Sequence, residues 1–167
     1  TRKMSFGDLI QNIDITARAL AEYGAKKGDF ITICSTTTPE VVSLFYAISK
    51  IGAIANVMSP FYSPDELVNR INECESKIII VADIFLQKFT QVLSKGTVEH
   101  IIVINIASPV TLGSLSRAVI SKKGISWRQF LRDGAYHENV FAESYEPQKP
   151  QAMVYSSGTT GASKGIV

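Results

Sequence analysis

The residues best suited to chemistry stand together at the end of the 167-residue chain, in Tyr155-Ser-Ser-Gly-Thr-Thr-Gly-Ala-Ser-Lys-Gly-Ile-Val167. Glycines at 158, 161 and 165 let the backbone turn sharply. Ser156, Ser157, Thr159 and Thr160 add short hydroxyl donors, and Lys164 adds one positive charge on a long stem. Consecutive backbone N–H groups in such a loop can converge on an anion. That combination suits a flexible polyanion, and a nucleoside triphosphate is one. The same composition also suits a Ser/Gly/Thr-rich tail or a tight turn with no ligand. Composition leaves both open.

The segment is not the common P-loop, which has glycine before its lysine and Ser or Thr after it. Here Ser163 precedes Lys164 and Gly165 follows. The sequence also stops before a helix could lend its N-terminal dipole to a phosphate. Upstream, Gln151-Ala-Met-Val-Tyr155 is mostly apolar and reads as a buried strand that delivers the loop.

Ser156-Ser-Gly-Thr-Thr-Gly-Ala-Ser-Lys-Gly165 resembles the signature loop of the AMP-forming adenylate synthetases. That superfamily contains acyl-CoA synthetases, peptide-synthetase adenylation domains and beetle luciferases. Its loop usually reads Thr-Ser-Gly-Thr-Thr-Gly-x-Pro-Lys-Gly. Ser156 in place of Thr keeps a hydroxyl. Ser163 in place of Pro frees a backbone torsion and an N–H before Lys164, which predicts a more mobile loop.

The chain is long enough for one domain with a substantial core. Hydrophobic residues make up 46% and charged residues 19%, which argues against a disordered chain. A net charge of +2 without a long basic run excludes nucleic acid as the expected partner. Arg117, Lys122, Lys123, Arg128 and Arg132 read as solvated faces and turns. No apolar run reaches membrane-span length, and Thr1-Arg-Lys-Met4 is no secretory signal. A start on Thr1 reads as a trimmed one. Cys34 and Cys74 are expected as buried free thiols in a cytosolic setting. His100 and His137 lack metal-ligand spacing and receive no catalytic role.

Along the chain, helix and strand signals alternate. Ser5 and Asp8 cap a helix with Ile10, Ile13, Ala17 and Leu20 on one face, ending near Gly24. Phe30–Cys34 is a strand, and Thr38-Pro39-Glu40 starts a helix that ends near Gly52. Gly52–Met58 is the next strand, and Ser63-Pro64-Asp65-Glu66 starts another helix. Lys77–Ala82, almost wholly apolar and β-branched, reads as a parallel strand covered on both faces. Asp83 is expected to cap a helix to about Leu93, and Ile101–Ile104 forms the fourth strand. The expected fold is therefore α/β, a mainly parallel sheet with helices on both faces. The predicted layout is an alternating core over 1–105, an irregular connector over 106–150, and a strand plus loop over 151–167. The connector carries a loop at Ser108–Gly113, a short helix over Leu115–Ile120, and a brief one capped by Ser126.

Other chemistries are excluded by what the turns lack. A dinucleotide site needs Gly-x-Gly-x-x-Gly after the first strand, and Ser-Thr-Thr-Thr-Pro-Glu stands there. A hydrolase elbow, Gly-x-Ser-x-Gly, is missing too. Phe45, Tyr46, Phe61 and Tyr62 are expected in core packing and turn burial rather than an acyl pocket.

The order of these elements also resembles the N-terminal region of the adenylate-forming enzymes. Gly24–Asp29, Pro39-Glu40, Lys50–Ile54, Ser63–Leu67 and Ile125–Phe130 are similar to its recurring landmarks. The resemblance implies the N-terminal part, roughly a third, of a cytoplasmic ligase that activates a small-molecule carboxylic acid with ATP and Mg²⁺. An acyl-adenylate would form first, and coenzyme A would then take the acyl group. It implies that Ser156, Ser157, Gly158, Thr159, Thr160, Gly161 and Lys164 contact the ATP phosphates. The adenine, ribose and Mg²⁺ sites and the catalytic lysine would lie beyond Val167, so no catalytic residue is assigned here. An amino-acid adenylation domain and a non-catalytic phosphate-binding module are the alternatives, and a homodimer is left open.

Overall fold

Three helices begin as their capping residues demand. Ser5 and Asp8 form a reciprocal box ahead of α1 (Phe6–Glu22), with Ser5 Oγ accepting from the Asp8 N–H at 3.1 Å. Thr38 caps α2 (Pro39–Lys50), whose proline occupies the first turn where no N–H is needed. Ser63 and Glu66 repeat the box at α3 (Pro64–Glu73), again with proline behind the cap. The structure is a computed structural model that describes residues 3–89, 98–106, 124–140, 142–143, 146–155 and 165–167. The expected loop at 108–113, the helix over 115–120 and the extension of a helix to Leu93 lie outside these residues.

Between the helices run β1 (Phe30–Cys34), β2 (Ile54–Val57), β3 (Ile78–Ala82) and β4 (His100–Ile104). Two further strands, β5 (Gly124–Ser126) and β6 (Ala152–Tyr155), flank them, and α4 (Trp127–Tyr136) follows β5 directly from its cap Ser126. A short β7 (Gly165–Ile166) closes the sheet. Among the described residues the order is β5-β4-β3-β1-β2-β6-β7, parallel throughout except that β7 runs antiparallel to β6. The parallel α/β expectation therefore holds.

Alternation along each strand divides the core in two. Ile31, Ile33, Ile78, Ile80, Ile102 and Ile104 face α1, α2 and α4, and meet Leu20, Leu44, Ile48 and Phe130. Cys34, Ile79, Val81, Ile101 and Val103 face the other way, toward Leu67 and Ile71 of α3 and Leu86 and Phe89. Every residue of β3 is buried, as its continuous β-branched run requires. A polar network runs through the second face. Asn56 Nδ2 donates to Thr32 Oγ1 at 3.0 Å, and Thr32 Oγ1 donates to Ser76 Oγ at 2.9 Å. Ser76 Oγ in turn lies 2.9 Å from the Phe30 carbonyl. All three side chains belong to fully buried residues.

Three expectations need correction. Ile10 is exposed rather than part of the buried face of α1. The 17-residue helix is about 25 Å long, while five-residue β1 is about 17 Å. Its first turns therefore overshoot the sheet. The segment after β3 is a 3₁₀ helix over Asp83–Phe89. Asp83 does not cap it in the α-helical manner. Its Oδ1 accepts instead from the N–H groups of Ile84 (2.9 Å) and Ile106 (3.2 Å), tying the end of β3 to the end of β4. Tyr46 and Phe61 are exposed, whereas Phe45 and Tyr62 pack against the core as expected.

The backbones of α1 and α4 approach closely at Gly134. A Cβ on Gly134 would stand 2.5 Å from the Ala19 nitrogen and 2.7 Å from its Cα. Neither atom can rotate away. Gly134→Ala is therefore expected to lower folding stability by about 1–3 kcal/mol through forced separation of the two helices, read as a lower urea midpoint.

Candidate functional site

Parallel pairing puts the carboxyl ends of six strands along one edge of the sheet, where α/β sheets place their ligands. Tyr155 and Gly165, the described residues that flank 156–164, both stand at that edge. Ser156, Ser157, Gly158, Thr159, Thr160, Gly161 and Lys164 themselves lie outside the described residues. Their anchors are described. Tyr155 pairs with Gly165 and Val154 with Ile166, so both ends of the segment are held by one antiparallel hairpin. The delivering strand is real, though only partly buried: Met153 points into the core, while Val154 is 51% exposed. Its position next to the sheet edge, with only two-residue β7 beyond, explains the exposure.

The hairpin sits over a polar and aromatic cluster. Arg70 of α3 is buried, with its Cζ 4.2 Å from the Tyr62 ring centroid and 4.4 Å from that of Tyr155. Cys74 Sγ lies 3.7 Å from the Tyr155 hydroxyl. Burial, followed by the Cys74 contact, pushes the Tyr155 phenol above its ordinary range. It is therefore a neutral side chain at any working pH. Nearby, Lys88 Nζ donates to the carbonyl of Pro60 at 2.8 Å and fixes the 59–62 turn. Asp83 links the adjacent strand ends.

Neither Arg70 nor Lys88 was among the residues expected at a site. A signal for Arg70 was present: Leu67, Arg70, Ile71 and Cys74 recur at three- and four-residue spacing, which places the cation on the buried arc of α3. Its i,i+4 relation to Glu66, at 3.6 Å, instead resembles an ordinary surface pair.

Neither histidine joins the edge. His100 stacks edge-on against Tyr23, and His137 Nδ1 lies 2.8 Å from Glu22. Both cysteines are free thiols, Cys34 buried and Cys74 half-buried. Burial pushes the Cys34 thiol up to about 12, with Lys88 opposing the shift. Burial raises Cys74 as well, partly offset by the Tyr155 hydrogen bond. Among the described residues no group of three or more His, Cys, Asp or Glu side chains could hold a metal ion. Among them also, no helix is long and apolar enough to cross a membrane.

The chain resembles known proteins over its whole length. The family described as AMP-binding enzyme matches residues 1–167. An acetyl-coenzyme A synthetase of Bartonella henselae is 32% identical over 173 aligned residues, covering 99% of this chain and 26% of that protein. One from Pyrobaculum arsenaticum is 31% identical with the same coverage. The crystal structure of the anthranilate CoA ligase AuaEII in complex with anthranoyl-AMP superposes with a TM-score of 0.82 at 25% identity, over 99% of this chain and 29% of that one. The adenylation domain of a carboxylate reductase from Mycobacterium chelonae, at TM-score 0.81 and 19% identity, shares the fold. The chain thus spans about a quarter of the length of the curated relatives it matches, less than the third expected.

Thiol chemistry tests the cluster directly. A buried thiol stays protonated in the folded state while the unfolded one ionises near its ordinary 9.0. The stabilisation from neutral Cys34 is complete below pH 9 and fades as pH rises from there toward about 12. At pH 8 a thiol reagent is expected to label half-buried Cys74 ahead of Cys34, and both at once in denaturant. Equal native labelling, followed by peptide mass mapping, would contradict this placement.

Proposed function

The chain belongs to the AMP-binding enzyme family, and on that premise we propose that it carries the ATP phosphate-binding loop of a carboxylate-activating ligase, an acyl-CoA synthetase. The observation that carries the reading is the hairpin of β6 and β7. Its residues Tyr155 and Gly165 pair at the carboxyl edge of a parallel sheet, and the composition of the intervening 156–164 suits a polyanion.

In the proposed reaction a carboxylate oxygen of the substrate attacks the α-phosphorus of ATP. The bond between that phosphorus and the bridging oxygen to the β-phosphate breaks, and pyrophosphate leaves with the electron pair. The thiol of coenzyme A then attacks the acyl carbon of the acyl-adenylate, forming a thioester and releasing AMP. Ser156, Ser157, Gly158, Thr159, Thr160, Gly161 and Lys164 would hold the β- and γ-phosphates. Lys164 and the two threonines would carry most of the stabilisation of charge on the departing pyrophosphate. Mg²⁺, when bound, would offset phosphate charge. The described residues contain no metal-ligand cluster for it. The names of the relatives and the acyl-adenylate in the ligase complex support this reading over an amino-acid adenylation domain.

We assign residues 1–105 to the alternating core, 106–150 to the connector and 151–167 to the loop with its strand. One feature favours a larger body around them. Val57, Val154 and Ile166 are cross-strand neighbours in one row, all of them exposed. A further layer of protein, or a second copy in a homodimer, would cover this row. A cytoplasmic setting suits the free thiols.

The test is carboxylate-dependent exchange of labelled pyrophosphate into ATP by the longest natural chain that contains these residues. The panel is short-chain, fatty, aromatic and amino acids. Exchange with one acid class is expected, and Lys164→Ala should lower it about 10²- to 10³-fold. Absence of exchange with every acid, from a chain shown to be folded, would sink the enzyme reading.

A further inference from the structure

We infer that Arg70 is the positioning residue that holds the stem of the phosphate loop, an inference that rests on the reading of 156–164 given above. Arg70 is only 8% exposed, although it belongs to a helix that is otherwise polar on its outer side. Its guanidinium lies in the angle between two aromatic rings, 4.2 Å from Tyr62 and 4.4 Å from Tyr155. The rings themselves stand at 87° with centroids 6.3 Å apart. A desolvated cation against two π faces is attracted to both, and its planar fork keeps it there.

The two rings belong to the segments that matter. Tyr62 ends the turn that Lys88 ties down, one residue before the capping Ser63 of α3. Tyr155 is the last residue before the loop. The residue after the loop rests on the same ring: a Cβ on Gly165 would come 3.4 Å from Tyr155 Cε1 and 2.8 Å from Met153 Sδ. Both ends of the loop therefore bear on Tyr155, and Tyr155 bears on Arg70. Glu66, 3.6 Å from Arg70, holds the guanidinium from the solvent side. The effect of this cluster is on where the loop begins and ends, and so on how its donors meet the phosphates.

The experiment uses the longest natural chain with Arg70→Met, Arg70→Lys, Tyr155→Phe and Tyr155→Leu. Two readouts are taken, amide hydrogen exchange by mass spectrometry and steady-state pyrophosphate exchange. In Arg70→Met the amides of 152–155 and 165–166 should exchange about tenfold faster while those of β3 keep their protection. KM for ATP should rise about tenfold with KM for the carboxylate unchanged. Arg70→Lys should recover part of both effects. Tyr155→Phe, which keeps the ring, should match the unaltered protein, and Tyr155→Leu should behave as Arg70→Met does. If Arg70→Met does not fold, Tyr155→Leu decides the matter. Unchanged exchange at the hairpin, or equal loosening of β3 with both KM values raised, would overturn the positioning role. An unaltered protein inactive toward every carboxylate would remove the enzymatic reading alone, and hydrogen exchange would still decide the role of Arg70 at the stem.

Discussion

Burial of β3 on both faces is the constraint from which the architecture follows. A strand made of Ile78, Ile79, Ile80, Val81 and Ala82 offers no side to water, so helices must cover it above and below. The strands on either side then have to run parallel to it, because each is reached through a crossover. Parallel strands bring their carboxyl ends to one edge. Tyr155 reaches that edge because β6 joins the same parallel set beyond β2.

The helix layer beneath the sheet is tied to the neighbouring turns and to β6 through few side chains. Asp83 accepts from Ile84, the residue after it, and from Ile106 after β4. Lys88 reaches back to the 59–62 turn. Arg70 comes up from α3 between Tyr62 and Tyr155. Each is a charged group taken largely out of water and compensated by polar or aromatic neighbours, as buried charge requires. The opposite, amino edge is held by exposed pairs such as Lys27 with Glu143 and Lys77 with Glu99. Exposed pairs of this kind contribute little stability. The two ends of the same strands are thus built differently.

The fold was largely readable in the sequence because its signals are local. Ser5 with Asp8, Thr38 with Pro39, and Ser63 with Glu66 each announce a helix within four residues, and each helix begins there. The apolar runs of β1, β3 and β4 are equally plain. What the sequence did not disclose depends on partners far along the chain. β5 is three residues long and exists through pairing with β4, and β7 is two residues that exist through pairing with β6. No three-residue pattern can announce that. Asp83 looked like a helix cap because its partner Ile106 lies twenty-three positions away. The site divides the same way. A run of ten residues carries the proposed phosphate loop in plain view, whereas the cation against Tyr155 was hidden in a helix whose Glu66–Arg70 spacing has an ordinary surface explanation.

The network of Asn56, Thr32 and Ser76 has a further consequence. Each hydroxyl has a single proton to give, so the order of donation is set once its ends are set. The Asn56 Nδ2 that faces Thr32 can only donate, and a backbone carbonyl can only accept from Ser76. The Thr32 proton must therefore point at Ser76, which also accepts from the Thr32 N–H at 3.2 Å. The dipoles line up head to tail across β1, β2 and the start of β3 and polarise one another. A hydrophobic core is usually indifferent to direction. This one contains a short vector with a fixed sense, and a strand shifted by one residue would have to reverse or break it.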